Sequence, residues 1–252
     1  MRILVCVKRV PITGGTMVLT EDARAIDTRF LGFTVSPHEE CAVEEAVRLV
    51  GAHGGESVVL TLGPAEAEEQ LRDAMALGVD RGILLRTDGA EWDPQATARA
   101  VAAAVRAGEP FDLLLFGNES ADAGNFQVAV RVAHALGLPV VTGVKGLEVA
   151  DGRVTLRREA GNGWEVFDVA LPAVVAVREG LNLPRFPSVP GRLRAKQKPV
   201  DTVAVAPEVG GLEMLRLMLP PSAGKRAEVL GAGPEAAPRV VEILETMGLV
   251  RR

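Results

Sequence analysis

Tyrosine is absent from this chain of 252 residues, and aromatic side chains make up only 4% of it. Proteins that hold single-stranded nucleic acid stack bases on aromatic platforms, so that mode of binding is excluded. The charge balance argues against nucleic acid in general: acidic residues outnumber basic ones, the net charge is −5 and the isoelectric point is near 5.4. Cysteine is nearly absent too. Cys6 and Cys41 stand alone without a C-x-x-C spacing, on a predicted strand and a predicted helix, which suits a reducing compartment. There is no apolar run of about eighteen residues, so no membrane insertion is expected. The start, MRILVCVKRV, reads directly as a strand without a signal or transit pattern, and the expected location is cytoplasmic. The catalytic signatures are missing as well. No G-x-S-x-G occurs, no carboxylate pair sits in a recognisable strand-end context, and His38, His53 and His134 lack metal-ligand spacing. Neither a metal nor a catalytic residue of the chain's own is expected.

What is present is a folding pattern. Hydrophobic residues make up 48% of the chain and charged ones 24%, as in a globular protein with a substantial core. Apolar, β-branched runs at Ile3 to Val7, Ser57 to Leu62, Gly82 to Arg86, Asp112 to Phe116 and Ala173 to Val177 predict strands. Helical periodicity separates the first four, over His38 to Val50, Ala65 to Leu77, Pro94 to Ala107 and Phe126 to Leu136. Continuous apolar strands alternating with helices predict an α/β, doubly wound parallel sheet covered on both faces. After Pro139 the pattern shortens. Gly146 to Val149, Arg153 to Arg158 and Glu165 to Val169, with turns at Asp151-Gly152 and Gly161-Asn162-Gly163, predict antiparallel additions. Beyond Val200 only two short helical patterns remain, Leu212 to Leu217 and Pro238 to Met247, joined by a Pro- and Gly-rich linker. The expected organisation is an α/β nucleotide-binding domain over 1–200, with a protruding loop near 178–190, and a C-terminal helical arm over 201–252. No internal repeat is present.

In a doubly wound sheet, ligands bind beyond the carboxyl ends of the strands. Three exits suit this: Cys6-Val7-Lys8, Leu62-Gly63-Pro64, and the loop Gly117 to Asn125 that leads into the helix near Phe126. Free N–H groups at that helix start would take an anion. The same loop can be read as an ordinary helix entry with Ser120, Asp122 or Asn125 as its cap, and spacing leaves both readings open. Its charge narrows the ligand. Glu119 and Asp122 would repel a polyphosphate, and no G-x-x-x-x-G-K-[ST] or lysine cluster offsets them. The acidic run Glu39, Glu40, Glu44 and Glu45 reads as the solvated face and first turn of a helix.

The stretch Leu171 to Val200 stands apart. A buried strand runs into a loop stiffened by Pro184, Pro187 and Pro190, with Leu181 as an apolar tip between Gly180 and Asn182 and with Arg192, Arg194, Lys196 and Lys198 behind it. Such a loop suits protein docking better than chemistry.

These residues resemble the signature of the beta subunit of electron-transferring flavoprotein. The matching elements are Leu171-Pro172-Ala173-Val174-Val175, Leu181-Asn182-Leu183-Pro184-Arg185-Phe186 and Ala195-Lys196-Gln197-Lys198. A further match runs from Ser36-Pro37-His38 to Val43-Glu44-Glu45-Ala46, with Ser36 replacing the usual asparagine and His38 the usual aromatic. The resemblance implies a non-catalytic subunit of a heterodimer that carries AMP as a structural ligand, while the alpha subunit holds most of the FAD. Carried over by position, the AMP contacts are Cys6, Ser36, Leu62 and the run Gly117, Ser120, Asp122, Ala123, Gly124, Asn125, Phe126, Gln127 and Val128. Docking would fall on Leu181, Asn182, Pro184 and Arg185. The implied partners are the alpha subunit, acyl-CoA dehydrogenases of fatty acid β-oxidation and other flavoprotein dehydrogenases, and a quinone oxidoreductase leading to the respiratory chain. A flavin-bifurcating variant with a second FAD in place of AMP stays open. A nucleotide-hydrolysing enzyme or a stress-type nucleotide sensor of the same fold would need a Gly-rich phosphate loop, where this chain has Lys8-Arg9-Val10-Pro11.

Overall fold

The computed structural model describes residues 1–12, 14, 17–206, 211–220 and 228–250. In chain order the strands are β1 (Arg2–Cys6), β2 (Val10–Pro11), β3 (Phe33–Thr34), β4 (Glu56–Gly63), β5 (Arg81–Arg86), β6 (Leu113–Gly117), β7 (Val140–Ala150), β8 (Arg153–Ala160), β9 (Gly163–Ala170), β10 (Ala173–Val177) and β11 (Val200–Ala204). The helices are α1 (Pro37–His53), α2 (Glu68–Leu77), α3 (Pro94–Ala107), α4 (Val128–Leu136), α5 (Val189–Ala195) and α6 (Ala237–Thr246).

Nine strands form one sheet in the order β11-β5-β4-β1-β6-β10-β7-β8-β9. From β11 to β7 every neighbour is parallel, and β7-β8-β9 is an antiparallel meander. The alternation of side chains along each strand separates two apolar layers. Ile3, Val5, Leu113, Leu115 and Val175 pack with Ala42, Val43, Ala46 and Leu49 of α1 and Leu71 and Met75 of α2. Leu4, Leu114, Phe116, Val174 and Ala176 pack with Ala98 and Val101 of α3 and Ala129, Val132 and Ala133 of α4. Each fully buried aliphatic side chain contributes about 1.5–3 kcal/mol. Truncating Leu114 to alanine would therefore cost about 2–5 kcal/mol, because both helices on that face rest on it. The helices stop where sequence dictates: α4 ends at Gly137, which takes the left-handed φ of 70° that a larger residue resists.

Three expectations change. Val200 does not close the sheet: β11 starts there and pairs in parallel with β5 from Val200–Gly82 to Ala204–Arg86. The strand is short and mostly exposed, so its sequence lacks the apolar run that marks a central strand. Leu212 to Leu217 is irregular rather than helical; one and a half turns cannot meet the cost of nucleation without a packed face, and Leu212, Met214 and Leu215 are exposed. Finally, the prolines do not keep the loop after β10 free of helix. Pro190 lies in the first turn of α5, where its missing N–H costs nothing, and Ser188 Oγ accepts from Gly191 N as the cap.

The chain divides into two compact units, Met1–Arg216 and Leu217–Arg252. The second contains α6, the helix expected near Pro238 to Met247, with Val240, Val241 and Met247 exposed.

Candidate functional site

The chain runs from β1 outward through β4 and β5 on one side, then returns to place β6 and β10 on the other. Strand order therefore reverses between β1 and β6, and the crevice of a doubly wound sheet opens at the carboxyl ends of those two strands. Cys6 lies in register with Leu60 of β4 and Phe116 of β6, so the three exits named from sequence lie side by side.

The first turn of α1 is pressed against this crevice. A Cβ on Gly117 would fall 2.7 Å from Cγ of Glu39 and 3.2 Å from Cβ of His38, so only glycine lets β6 end this close to the helix. Ser36 is buried, and its Oγ accepts from the backbone N of Ala121 at 2.9 Å, folding the loop after β6 over the helix start. Glu39 reaches back: Oε2 accepts from Ser36 N and Oε1 from Lys8 N, each at 3.0 Å. Burial pushes the Glu39 carboxyl up to about 8, against the pull of those two N–H groups and of the Lys8 charge. Cys6 is buried at the end of β1, and its thiol is held far above the ordinary range by burial and then by Glu39.

Lys8 is the cation of the crevice, and it is already spoken for. Its Nζ lies 2.6 Å from Glu91 and 2.7 Å from Asp122. Burial alone would lower its pKa; the two carboxylates offset this and hold it above the usual value. The Asp122 carboxyl is in turn held low, with Lys8, Ser120 and the N–H of Ala123 outweighing burial.

The loop then turns through Gly124 and Phe126, both at φ 56°, into α4. Phe126 holds this left-handed conformation while about half exposed, which costs on the order of 1 kcal/mol. Neither Ser120, Asp122 nor Asn125 caps α4. The N-cap is Gln127, whose side chain is taken by Arg131 at 2.9 and 3.0 Å, and no side chain caps the first turn. The capped-loop reading of this segment is set aside on that geometry. Of the other residues predicted for this site, Leu62 is half-buried at the end of β4, and Ala123 and Asn125 are exposed on the loop. Glu91, on the segment before α3, was not foreseen: it lies 83 positions from Lys8, and nothing local marks the pair.

The acidic run on α1 is not a solvated face. Glu39, Glu44 and Glu45 are all buried, and each has a partner. Glu44 holds Arg185 in a bidentate pair, Nη2 to Oε1 at 2.6 Å and Nε to Oε2 at 2.8 Å, and also accepts from Arg185 N. Glu45 pairs with Arg48 and accepts from Asn182 Nδ2 at 3.1 Å; the same amide donates to Cys41 O at 3.0 Å. Asn182 and Arg185, expected to face a partner, thus bind the loop to α1. Leu181 is not its projecting tip either, since it packs half-buried against the core. The residues that do project are Leu183, 91% exposed, and Phe186, 96% exposed, with Val189 and Leu193 of α5. Of the basic run, Lys198 turns inward to the carbonyls of Met75 and Val79, and Arg192 pairs with Asp73. Arg194 and Lys196 stay exposed.

Among the described residues no helix is long and apolar enough to cross a membrane, and no group of three His, Cys, Asp or Glu is placed to hold a metal ion. Residues 26–208 match the family model described as the electron transfer flavoprotein domain. Among curated proteins, the chain is 39% identical over 223 residues to the electron transfer flavoprotein subunit beta of Syntrophomonas wolfei, covering 88% of this chain and 87% of that one. It is 36% identical over 168 residues to the subunit of the same name from Bacillus subtilis, covering 66% and 65%. It is 32% identical over 244 residues, 92% of each chain, to the caffeyl-CoA reductase-Etf complex subunit CarD of Acetobacterium woodii.

Proposed function

Because this chain belongs to the electron transfer flavoprotein family and is similar to its beta subunits, we propose that it is the AMP-carrying subunit of a heterodimeric electron carrier, with no catalytic residue of its own. The observation that carries the nucleotide half is the crevice between β1 and β6. Small residues line its loop, the first turn of α4 keeps N–H groups without a side-chain cap, and its one lysine is neutralised by Glu91 and Asp122. Backbone donors of this kind fit a single phosphate, and the unshared acidic charge disfavours a longer one. Cys6, Ser36, Leu62 and residues 117–128 would hold the nucleoside and its phosphate. FAD, held mainly by the alpha subunit, would supply the electron-accepting ring. The contribution of this chain is to bind, to orient and to dock.

Docking of acyl-CoA dehydrogenases and other flavoprotein dehydrogenases is assigned to the loop after β10. The exposed Leu183 and Phe186, beside Arg194 and Lys196, support it, because solitary apolar groups on a stiff loop with a cationic rim are the pattern of an interface anchor. Electrons would leave toward a quinone oxidoreductase. The exposed apolar residues of the 217–252 unit, Val240, Val241 and Met247 among them, support a surface that closes on the alpha subunit.

The test is mass analysis of the nucleotide released by heat from the purified complex and from this chain alone. AMP is expected, one per chain. FAD released in equal amount from the isolated chain would replace this reading with the bifurcating one.

A further inference from the structure

One carboxylate does more in the crevice than any other side chain, and nothing in the docking or phosphate chemistry assigns it a role. Glu39 touches three of the elements that form the site. It accepts from Lys8 N, the first residues beyond β1, and from Ser36 N, the N-cap of α1, each at 3.0 Å. Its Cγ lies so close to Gly117 that no side chain fits at the end of β6. Only 6% of the residue is exposed. Ser36 in turn carries Ala121 of the nucleotide loop, so the position of Glu39 is passed on to the loop by a second hydrogen bond.

We propose that Glu39 is the positioning residue of the nucleotide site, setting the separation of the β1 and β6 exits, and that its proton governs how tightly a phosphate-bearing ligand is held. This rests on the nucleotide reading above. A neutral Glu39 keeps the carbonyl oxygen as an acceptor and adds no charge to the crevice. An ionised Glu39 places a second anion beside Asp122, where the ligand's phosphate must enter.

The groups that face Glu39 do not titrate between pH 7 and 9. Cys6 on β1 is held far above that window and Lys8 above its usual value, while Asp122 is held below the usual carboxylate range. His38, beside it on α1, is lowered by burial, away from the window. The phosphate of a nucleoside monophosphate loses its second proton near pH 6. Glu39, pushed up to about 8, is the group that changes. If the ionised form excludes the phosphate, affinity at pH 9 falls by about tenfold relative to pH 7, because about ten of every eleven carboxyls are then charged.

The experiment uses the full-length chain in its complex, stripped of nucleotide, with AMP as the probe in titration calorimetry at pH 7, 8 and 9. The wild type should lose about tenfold in affinity from pH 7 to 9. Glu39→Gln, which mimics the protonated carboxyl, should bind at pH 7 within about twofold of wild type and keep that affinity at pH 9. Glu39→Ala, which removes the tie, should bind at least about tenfold more weakly at pH 7. A wild type that binds AMP equally at pH 7 and 9 overturns the proposal whether or not the variants fold, as does a Glu39→Gln protein that retains the wild-type pH dependence. A wild type that binds no AMP at any pH overturns the nucleotide reading itself, and this proposal with it.

Discussion

The loop that carries Leu183 and Phe186 is fastened to α1 by an asymmetric ion pair, and the asymmetry makes a prediction. The Glu44 side chain is 9% exposed, while that of Arg185 is 50% exposed. Removing the arginine strands a buried carboxylate. In Arg185→Ala, Glu44 would lose the contacts at 2.6 and 2.8 Å and keep only the backbone N–H of residue 185, at 3.2 Å. Breaking a fully buried pair costs about 3–5 kcal/mol, and an exposed pair about 0–1. With one partner half in water, Arg185→Ala should cost about 2 kcal/mol at pH 7. Removing the charge from the other side is milder. In Glu44→Gln the guanidinium can turn to solvent and the amide oxygen can still accept, so the loss should be about 0.5–1 kcal/mol. The double variant should cost less than the sum of the two, by on the order of 1 kcal/mol.

The pH dependence fixes the mechanism. Burial raises the Glu44 carboxyl, but the hydrogen bonds and charge of Arg185 more than offset this and hold it below its ordinary value. A depressed carboxylate contributes stability above its unfolded pKa, and that contribution is lost as pH falls through the folded one. The deficit of Arg185→Ala should therefore be full at pH 7 and shrink below about pH 4, where the stranded carboxyl takes up a proton instead. Urea unfolding of wild type, both single variants and the double variant at pH 7 and pH 4 measures all of this. An Arg185→Ala deficit no larger than that of Glu44→Gln, or one that is the same at both pH values, would refute the argument from unequal burial.

Phe186→Ala should leave stability within about 0.5 kcal/mol of wild type, since the ring is exposed, yet slow reduction of the complex by a dilute acyl-CoA dehydrogenase by at least about tenfold. Unchanged rates with dilute partner would remove it as an anchor. Leu181→Ala should behave in the opposite way, losing on the order of 1–2 kcal/mol in urea unfolding because the side chain packs on the core. A chain ending at Arg216 should fold, keep β11 in the sheet and retain AMP, but fail to co-elute with the alpha subunit on size exclusion. Full co-elution would show that the 217–252 unit is not the contact.

The fold was largely legible because its determinants are local. Val58 to Leu60 and Leu113 to Phe116 are buried on both faces, and a strand of that kind announces itself by an unbroken apolar run. β11 escaped because VDTVA, at the sheet edge, needs no such run. The exits of β1, β4 and β6 could be named for the same reason: once the strands are placed, the rule that ligands bind at their carboxyl ends needs no knowledge of side-chain contacts.

Partnership between distant residues could not be read in this way, and the side chains of the site depend on it. Four glutamates in the first half of α1 have the spacing of a wet helix face, and nothing local distinguishes a solvated carboxylate from one that meets Arg185 or Asn182 across 141 positions. The error was systematic. Each misplaced charge was assigned to water because its partner lay elsewhere in the chain, and the same blindness put Asn182 and Arg185 on the outside of the loop. The structure ties the two halves of the proposed function to one helix: Ser36 and Glu39 in its first turn shape the nucleotide crevice, and Cys41, Glu44 and Glu45 in the next hold the docking loop. A ligand that stiffens the start of α1 therefore acts on the element to which the loop is fastened, which gives a nucleotide that takes no part in electron transfer a physical reason to be there.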